Sequence, residues 1–439
     1  MIKHYETSLY ERLRHALVDR KIASAKGRIT LNDDRAFQSI LGFGGAFTEA
    51  ATYTLSQLSK SNQALILKAY FDVEEGLNYN LGRVHINSCD FALENYTYVE
   101  ENDESLQSFD ISREKKWVIP TIKAAQEIRG EEINLLASPW SPPAWMKTNQ
   151  QMNNGGKLKP AYYQTWADYY VKYIEHMEKE GLNIFAVSVQ NEPAAVQTWD
   201  SCVYTGEEER DFVKNHLGPT LHDSPYKDVG IVIWDHNRDI VVERAKTVLE
   251  DQKAASYVWG VGIHWYVSEA FENLSEVHEM FPDKHILFTE GCIEGGVKLG
   301  AFETAERYAR NMIGDFNHYC EGYIDWNLLL NEIGGPNHVG NYCDAPIIAD
   351  TKEDKVHFNS SYYAIKHFSK HVKPGAKRIE SIATNTPLGH VAFINPDNSK
   401  VIVIQNESEL DETIELTAGT VTYPCMIKRR SIATILIEV

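Results

Sequence analysis

Two apolar runs in this 439-residue chain each end on a glutamate. Phe185-Ala186-Val187-Ser188-Val189 leads into Gln190-Asn191-Glu192-Pro193, and Ile286-Leu287-Phe288-Thr289 leads into Glu290-Gly291. Such β-branched and aromatic runs read as buried strands. Pro193 has no N–H to give to a ladder, so the first run must stop there. A single strand-end glutamate reads as a solvated turn. A pair of them, with the amide Asn191 beside one and Trp, Tyr and His at neighbouring strand ends, suits cleavage of a glycosidic bond. One carboxylic acid protonates the leaving oxygen, and the other carboxylate attacks or stabilises the anomeric carbon. A metal-dependent hydrolase would want an early His-x-His and further His or Asp ligands. The early strand end here reads His85-Ile86-Asn87, so neither metal nor cofactor is expected. A glycan-binding protein without chemistry is the other alternative, and the presence of both glutamates and Asn191 speaks against it.

Eight apolar segments could position these residues. They centre on Phe43, Val84, Leu136, Val187, Val232, Ile263, Leu287 and Asp325, with amphipathic helical patterns between them over Gln57–Phe71, Lys115–Arg129, Tyr162–Lys179, Arg238–Glu250 and Ala305–His318. Eight strand–helix repeats predict a (β/α)8 barrel, whose function sits at the C-terminal strand ends. The alternative, an open doubly wound sheet, would want G-x-G-x-x-G after an early strand, and Gly42-Phe43-Gly44-Gly45 does not supply it. At roughly 31 residues per repeat, the interval from Glu192 to Glu290 is three repeats, so the two carboxyls face each other across the mouth from the fourth and seventh strands. From Lys377 onward, short alternating runs separated by turn signals predict an antiparallel β domain. The expected division is an N-terminal helix (Tyr5 to Lys21) and strand over 1–36, the barrel over 37–372, and a C-terminal β-sandwich over 373–439 that N-terminal residues help to build.

The formal charge of −19 argues against nucleic acid or an anionic membrane surface as partner. No run of about 18 apolar residues predicts a membrane span. The N-terminal stretch lacks the apolar core of a secretory signal, and the 6 scattered cysteines read as reduced thiols. The expected location is therefore cytoplasmic, and the expected partner a small glycoside or oligosaccharide. The oligomeric state is not legible.

Several long stretches carry a resemblance to a known family. They are LGFGGAFTEAA, YNLGRVHINSCDFALENYTY, LLASPWSPPAWMKTN, YYQTWADYYVKY, NEP followed by RDFVKNHLGPTL, GIHWY, FTEGC, and DWNLLLNEIGGPNHVGN with DAPII after it. The chain resembles glycoside hydrolase family 30, in its glucosylceramidase-like branch. The resemblance implies a (β/α)8 barrel with an attached β-sandwich and retention of β configuration through a covalent glycosyl-enzyme. Glu192 then matches the general acid/base, Glu290 the nucleophile, and Asn191 the amide that bonds the sugar 2-hydroxyl. Asp90, Trp140 and Trp326 match residues of the glycone pocket, and Asn341 a residue of its rim. Arg83, His264 and Tyr266 match neighbours that orient the nucleophile and keep it ionised. The implied activity is an exo-acting β-glucosidase, with β-xylosidase, β-fucosidase and endo-β-1,6-glucanase as alternatives within the family. The lysosomal relatives have an aromatic where this chain has His338, on a loop expected near the aglycone entrance. Asp200, Glu49 and Glu321 are expected to be solvated or structural, and Cys292 a small buried residue.

Overall fold

In the computed structural model, which describes residues 1–438, eight parallel strands close into a barrel. In chain order they are Gly42–Ala46, Leu81–Ile86, Asn134–Pro139, Asn183–Ser188, Gly230–Asn237, Val258–His264, His285–Glu290 and Gly322–Asn327. The eighth pairs with the first in the register Gly322↔Gly42 and Ile324↔Gly44. The second and eighth strands are buried along their whole length, as expected where helices cover one face and the barrel interior the other. Leu81, Leu136, Ala186, Val232, Leu287 and Ile324 fill that interior, so the barrel is a packed core and its upper end is free to hold a site. Closure depends on a close backbone approach at Gly44, where an added Cβ would lie 2.1 Å from the Leu81 carbonyl oxygen.

The helices follow the sequence patterns with shifted ends. The pattern expected over Gln57–Phe71 forms one helix, Lys60–Phe71, capped by the Ser59 side chain, and a separate helix, Glu49–Ser56, capped by Thr48, precedes it. Val118–Arg129, Tyr163–Lys179, Val241–Leu249 and Phe302–Asn317 occupy the other four regions.

The N-terminal helix expected over Tyr5 to Lys21 is not formed. Ile2–Ser8 and Leu13–Leu17 are instead two antiparallel strands. Helical spacing of charges is outweighed there by tertiary pairing, since Ile2–Ser8 pairs along its whole length with Ser431–Ile437. The buried charge of Glu6 is met by Arg20 at 2.9 Å. The short strand expected at Ile29 to Leu31 runs from Gly27 to Ser39. It pairs antiparallel with Lys377–Thr384 and parallel with Glu412–Ala418. Nine strands from both ends of the chain thus make one continuous sheet, a β-sandwich folded over Ile29, Leu31, Ile379, Ile402, Ile414, Leu416 and Ile435. The last residue of the expected C-terminal domain, Val439, lies outside the described residues. Among the described residues no helix is long and apolar enough to cross a membrane, and all six cysteines are buried free thiols.

Candidate active site

The fourth strand ends with a sharp redirection of the chain. Asn191 N–H donates to the Pro139 carbonyl at 2.9 Å and Glu192 N–H to the Asp235 carbonyl at 3.0 Å. Glu192 itself has φ +49°, a left-handed conformation that a non-glycine residue holds only when its surroundings enforce it. The fifth strand carries a matching irregularity. Its register slips between Trp234 and His236, with Trp234 at φ +68° and Asp235 at φ +49°. This bulge re-aims Asp235 toward the barrel axis.

Arg83, on the second strand and fully buried, ties these ends together. Its guanidinium donates to Glu290 Oε2 at 2.6 Å, to Asp235 Oδ2 at 2.8 Å and to Asn191 Oδ1 at 2.9 Å. The Tyr266 hydroxyl donates to the other Glu290 oxygen at 2.8 Å. Asp235 Oδ2 also accepts from Ser188 at 2.6 Å, and its Oδ1 from Thr289 at 2.6 Å. His264 stands between carboxylates, with Nε2 3.1 Å from Asp235 Oδ1 and Nδ1 3.3 Å from Glu192 Oε1. His236 lies 3.7 Å from the same Glu192 oxygen. One oxygen from each glutamate and one His264 ring nitrogen fall within 4.8 Å of one another. That trio offers three ligand atoms to a cation, yet Arg83 already brings a permanent positive charge to Glu290. The chemistry of the set suits a hydrogen-bonded carboxylate pair.

Charge is distributed unevenly. At Asp235 burial would raise the carboxyl, but Arg83, His264 and Ser188 outweigh it and hold it well below the ordinary aspartate range. At His264 burial disfavours the imidazolium, yet the charges and hydrogen bonds of Glu290, Asp235 and Glu192 lift it to about 9. At Glu192 burial is opposed by His264 and His236, and the carboxyl falls below its usual value. Glu192 and His264 therefore hold one proton between them. At Glu290 burial raises the carboxyl, against His264 and Arg83 and with the help of the Glu192 charge. Both Glu290 oxygens nevertheless accept strong hydrogen bonds, and a proton there would displace one of them, so the geometry is built for the charged form.

Asp90, Trp140, Asn191, Glu192, Tyr266, Glu290, Trp326 and Asn341 line one cavity of about 280 Å³. Arg83 and His264 lie beneath it. A larger hollow of about 610 Å³ lies beside Asn183 and Ile184 at the opposite end of the barrel, away from both glutamates. Trp140 and Trp326 stack on each other with centroids 5.1 Å apart, and the Arg83 guanidinium sits 4.8 Å from the Trp140 ring. Because Asn191 Oδ1 is taken by Arg83, its Nδ2 is left as a donor. Asp90 Oδ2 accepts from Asn337 and Asn341, each at 3.1 Å. Burial lifts the Asp90 carboxyl to about 7 against those amides, with Glu290 adding to the rise. His338, expected near the aglycone entrance, does not line the cavity but bonds Asp200. Asp200 and Glu49 are buried, Glu49 paired with Arg113 at 2.7 Å. Asp235, His236 and Asn337 were not legible as site residues. Their sequence signal is only that Asp235 and His236 end an apolar run and Asn337 follows Gly-Gly-Pro.

Residues 40–372 match the Glycosyl hydrolase family 30 TIM-barrel domain, and residues 375–435 the Glycosyl hydrolase family 30 beta sandwich domain. The chain is 37% identical over 408 residues to lysosomal acid glucosylceramidase of Mus musculus, covering 89% of this chain and 79% of that protein. The crystal structure of SrfJ from Salmonella typhimurium covers 100% of both chains at 36% identity and a TM-score of 0.95. The endo-beta1,6-glucanase BT3312 covers 100% of this chain and 99% of its own, at 29% identity and a TM-score of 0.89. The chain belongs to glycosyl hydrolase family 30 and is an O-glycoside hydrolase.

Proposed function

We propose that this chain is a retaining, exo-acting β-glycosidase that hydrolyses β-glucosides, with Glu290 as nucleophile and Glu192 as general acid/base. The observation that carries the reading is the Glu290 carboxylate held by Arg83 at 2.6 Å and Tyr266 at 2.8 Å, with Glu192 and His264 within 4.8 Å. That short separation supports retention, for which carboxyls stand about 5–5.5 Å apart, over inversion at about 6.5–9.5 Å. Glu290 attacks the anomeric carbon while the proton held by Glu192 and His264 passes to the departing glycosidic oxygen. The Glu290 charge is then spent in the ester bond. Glu192 next takes a proton from water, whose oxygen attacks the anomeric carbon and frees Glu290. Asn191 Nδ2, fixed by Arg83, is placed to bond a sugar hydroxyl. Asp90, backed by Asn337 and Asn341, is the acceptor we assign to the far side of the glycone. Burial of Asp200 and His338 behind Asp90 supports a blind pocket and hence exo action.

The test is kcat/KM on matched aryl β-glucoside, β-xyloside and β-fucoside and on a β-1,6-linked glucan, for wild type and Glu290→Gln. Preference for the glucoside, lost in the variant, is expected. Preference for xyloside or fucoside would move the glycone but keep the roles, and glucan cleavage in mid-chain would overturn exo action. Glu290→Gln with near-wild-type turnover would end the assignment. Glu192→Ala should slow substrates with poor leaving groups far more than activated aryl glycosides, and equal losses would refute the acid role.

A further inference from the structure

We infer that His338 and Asp200 form a clasp across the barrel mouth that positions the 334–344 loop and, through its Asn337 and Asn341, the Asp90 carboxyl for glycone binding. This rests on the reading of Asp90 as a glycone ligand. The clasp joins loops that start on opposite sides of the barrel. Asp200 follows the fourth strand and His338 the eighth, and in the closed order of strands these are four places apart. His338 Nε2 lies 2.9 Å from Asp200 Oδ2. The other Asp200 oxygen accepts from Ser88 Oγ at 2.6 Å and from Asn95 Nδ2 at 2.8 Å, both in the loop after the second strand that carries Asp90. The Asp200 side chain is fully buried and that of His338 is 8% exposed. Burial disfavours the imidazolium, but bonding to Asp200 raises it above the ordinary histidine value, while His338 and Ser88 hold Asp200 down.

From this anchor the loop reaches Asp90 by three routes. His338 N–H donates to the Asp90 carbonyl at 3.1 Å. The Asn337 and Asn341 amides both donate to Asp90 Oδ2. Asn337 Oδ1 in turn accepts from the Val339 and Asn341 N–H groups at 3.1 and 3.0 Å, so one side chain organises the whole turn. Among the described residues no donor reaches Asp90 Oδ1, which leaves that oxygen for a ligand. His338 and Asp200 do not line the cavity, so they can act on the sugar only by position. Loss of the clasp should weaken ground-state and transition-state binding alike, which raises KM and leaves kcat.

The experiment is steady-state kinetics with the best aryl glycoside and competition by the matching free monosaccharide, for wild type, His338→Leu, His338→Gln, Asp200→Asn and Asp90→Ala. His338→Leu strands a buried carboxylate, and about a tenfold rise in KM with kcat within about threefold is expected. The monosaccharide Ki should rise in parallel. His338→Gln keeps a hydrogen-bond donor and should recover most of the loss. If His338→Leu does not fold, Asp200→Asn and His338→Gln decide alone, with KM raised in Asp200→Asn and nearly restored in His338→Gln. A KM raised by Asp90→Ala but unmoved in His338→Leu and Asp200→Asn would overturn the clasp while the glycone reading stands. An unchanged KM in Asp90→Ala would overturn the glycone reading and the clasp with it. A fall in kcat as large as the rise in KM would make the pair a general structural support and refute the positioning role.

Discussion

Tyr266→Phe removes one oxygen and little else, which makes it a clean probe of how the nucleophile is kept charged. The hydroxyl donates to Glu290 Oε1 at 2.8 Å and lies 3.5 Å from Cys292 Sγ. A hydrogen bond to a charged group is worth about 1.5–3 kcal/mol, and 1.36 kcal/mol corresponds to one pKa unit. Its loss should therefore raise the Glu290 carboxyl by about one to two units. The sign follows from the donor favouring the carboxylate: without it the proton is held to higher pH, and a protonated nucleophile cannot attack. Burial already places Glu290 above the ordinary glutamate range, so the acid limb starts from there and moves toward neutrality. The assay is kcat/KM against pH from about 4 to 10 with an activated aryl glycoside, since kcat/KM reports the steps up to attack by Glu290 and such a leaving group needs little help from an acid. Arg83 remains on the other oxygen, so the plateau at high pH should be largely kept. An acid limb that stays within about 0.3 units of wild type would refute the claim that Tyr266 helps to ionise Glu290. A uniform loss at every pH would instead assign it a purely geometric role.

Other perturbations test the rest of the site. The proton held by Glu192 and His264 should set the alkaline limb near pH 9. Asp235→Asn removes a charge that favours the imidazolium, so that limb should move to lower pH in the variant, and an unmoved limb would dissociate His264 from the active proton. Arg83→Met leaves Asp235 and Glu290 buried without their cation, and removing one partner of such a pair costs about 3–5 kcal/mol. Urea unfolding should show it, and a loss under about 1 kcal/mol would contradict the buried network. Gly44→Ala drives a methyl group into the Leu81 carbonyl, so little soluble, folded protein is expected, and near-wild-type thermal stability would show that the barrel closes with slack. Dialysis against a strong chelator should leave activity unchanged, whereas loss restored by a divalent cation would reinstate metal assistance at Glu192, His264 and Glu290.

The parts legible in the sequence were those governed by local pattern. Strand runs that stop on Glu192-Pro193 and Glu290-Gly291 announce both a boundary and a functional group, and barrel topology then fixes which strand ends share the mouth. Asp235 escaped because its importance comes from a bulge. The alternation of Gly230–Asn237 assigns faces only while the register holds, and the slip at Trp234 turns Asp235 inward. The N-terminal strands escaped for the opposite reason. Tyr5 to Lys21 has helical spacing, but the partner that overrides it, Ser431–Ile437, lies at the other end of the chain. The bond of His338 to Asp200 escaped likewise, since only the folded loops bring the two together.

The shared nine-stranded sheet sets an order on synthesis. Ile2–Ser8 leaves the ribosome long before its neighbour Ser431–Ile437, and Gly27–Ser39 waits for strands beginning at Lys377. At about 5–20 residues per second, these early strands wait roughly twenty seconds or more for those partners while the whole barrel is threaded between them. An unpaired strand edge is a template for wrong pairing. The barrel pairs neighbours close in sequence except at the one seam between its first and eighth strands, whereas the sandwich is assembled from contacts spanning nearly the full chain and must form late. Yield from the cell should therefore depend on translation speed and on chaperones that shelter the first forty or so residues, even for variants whose finished fold is as stable as wild type.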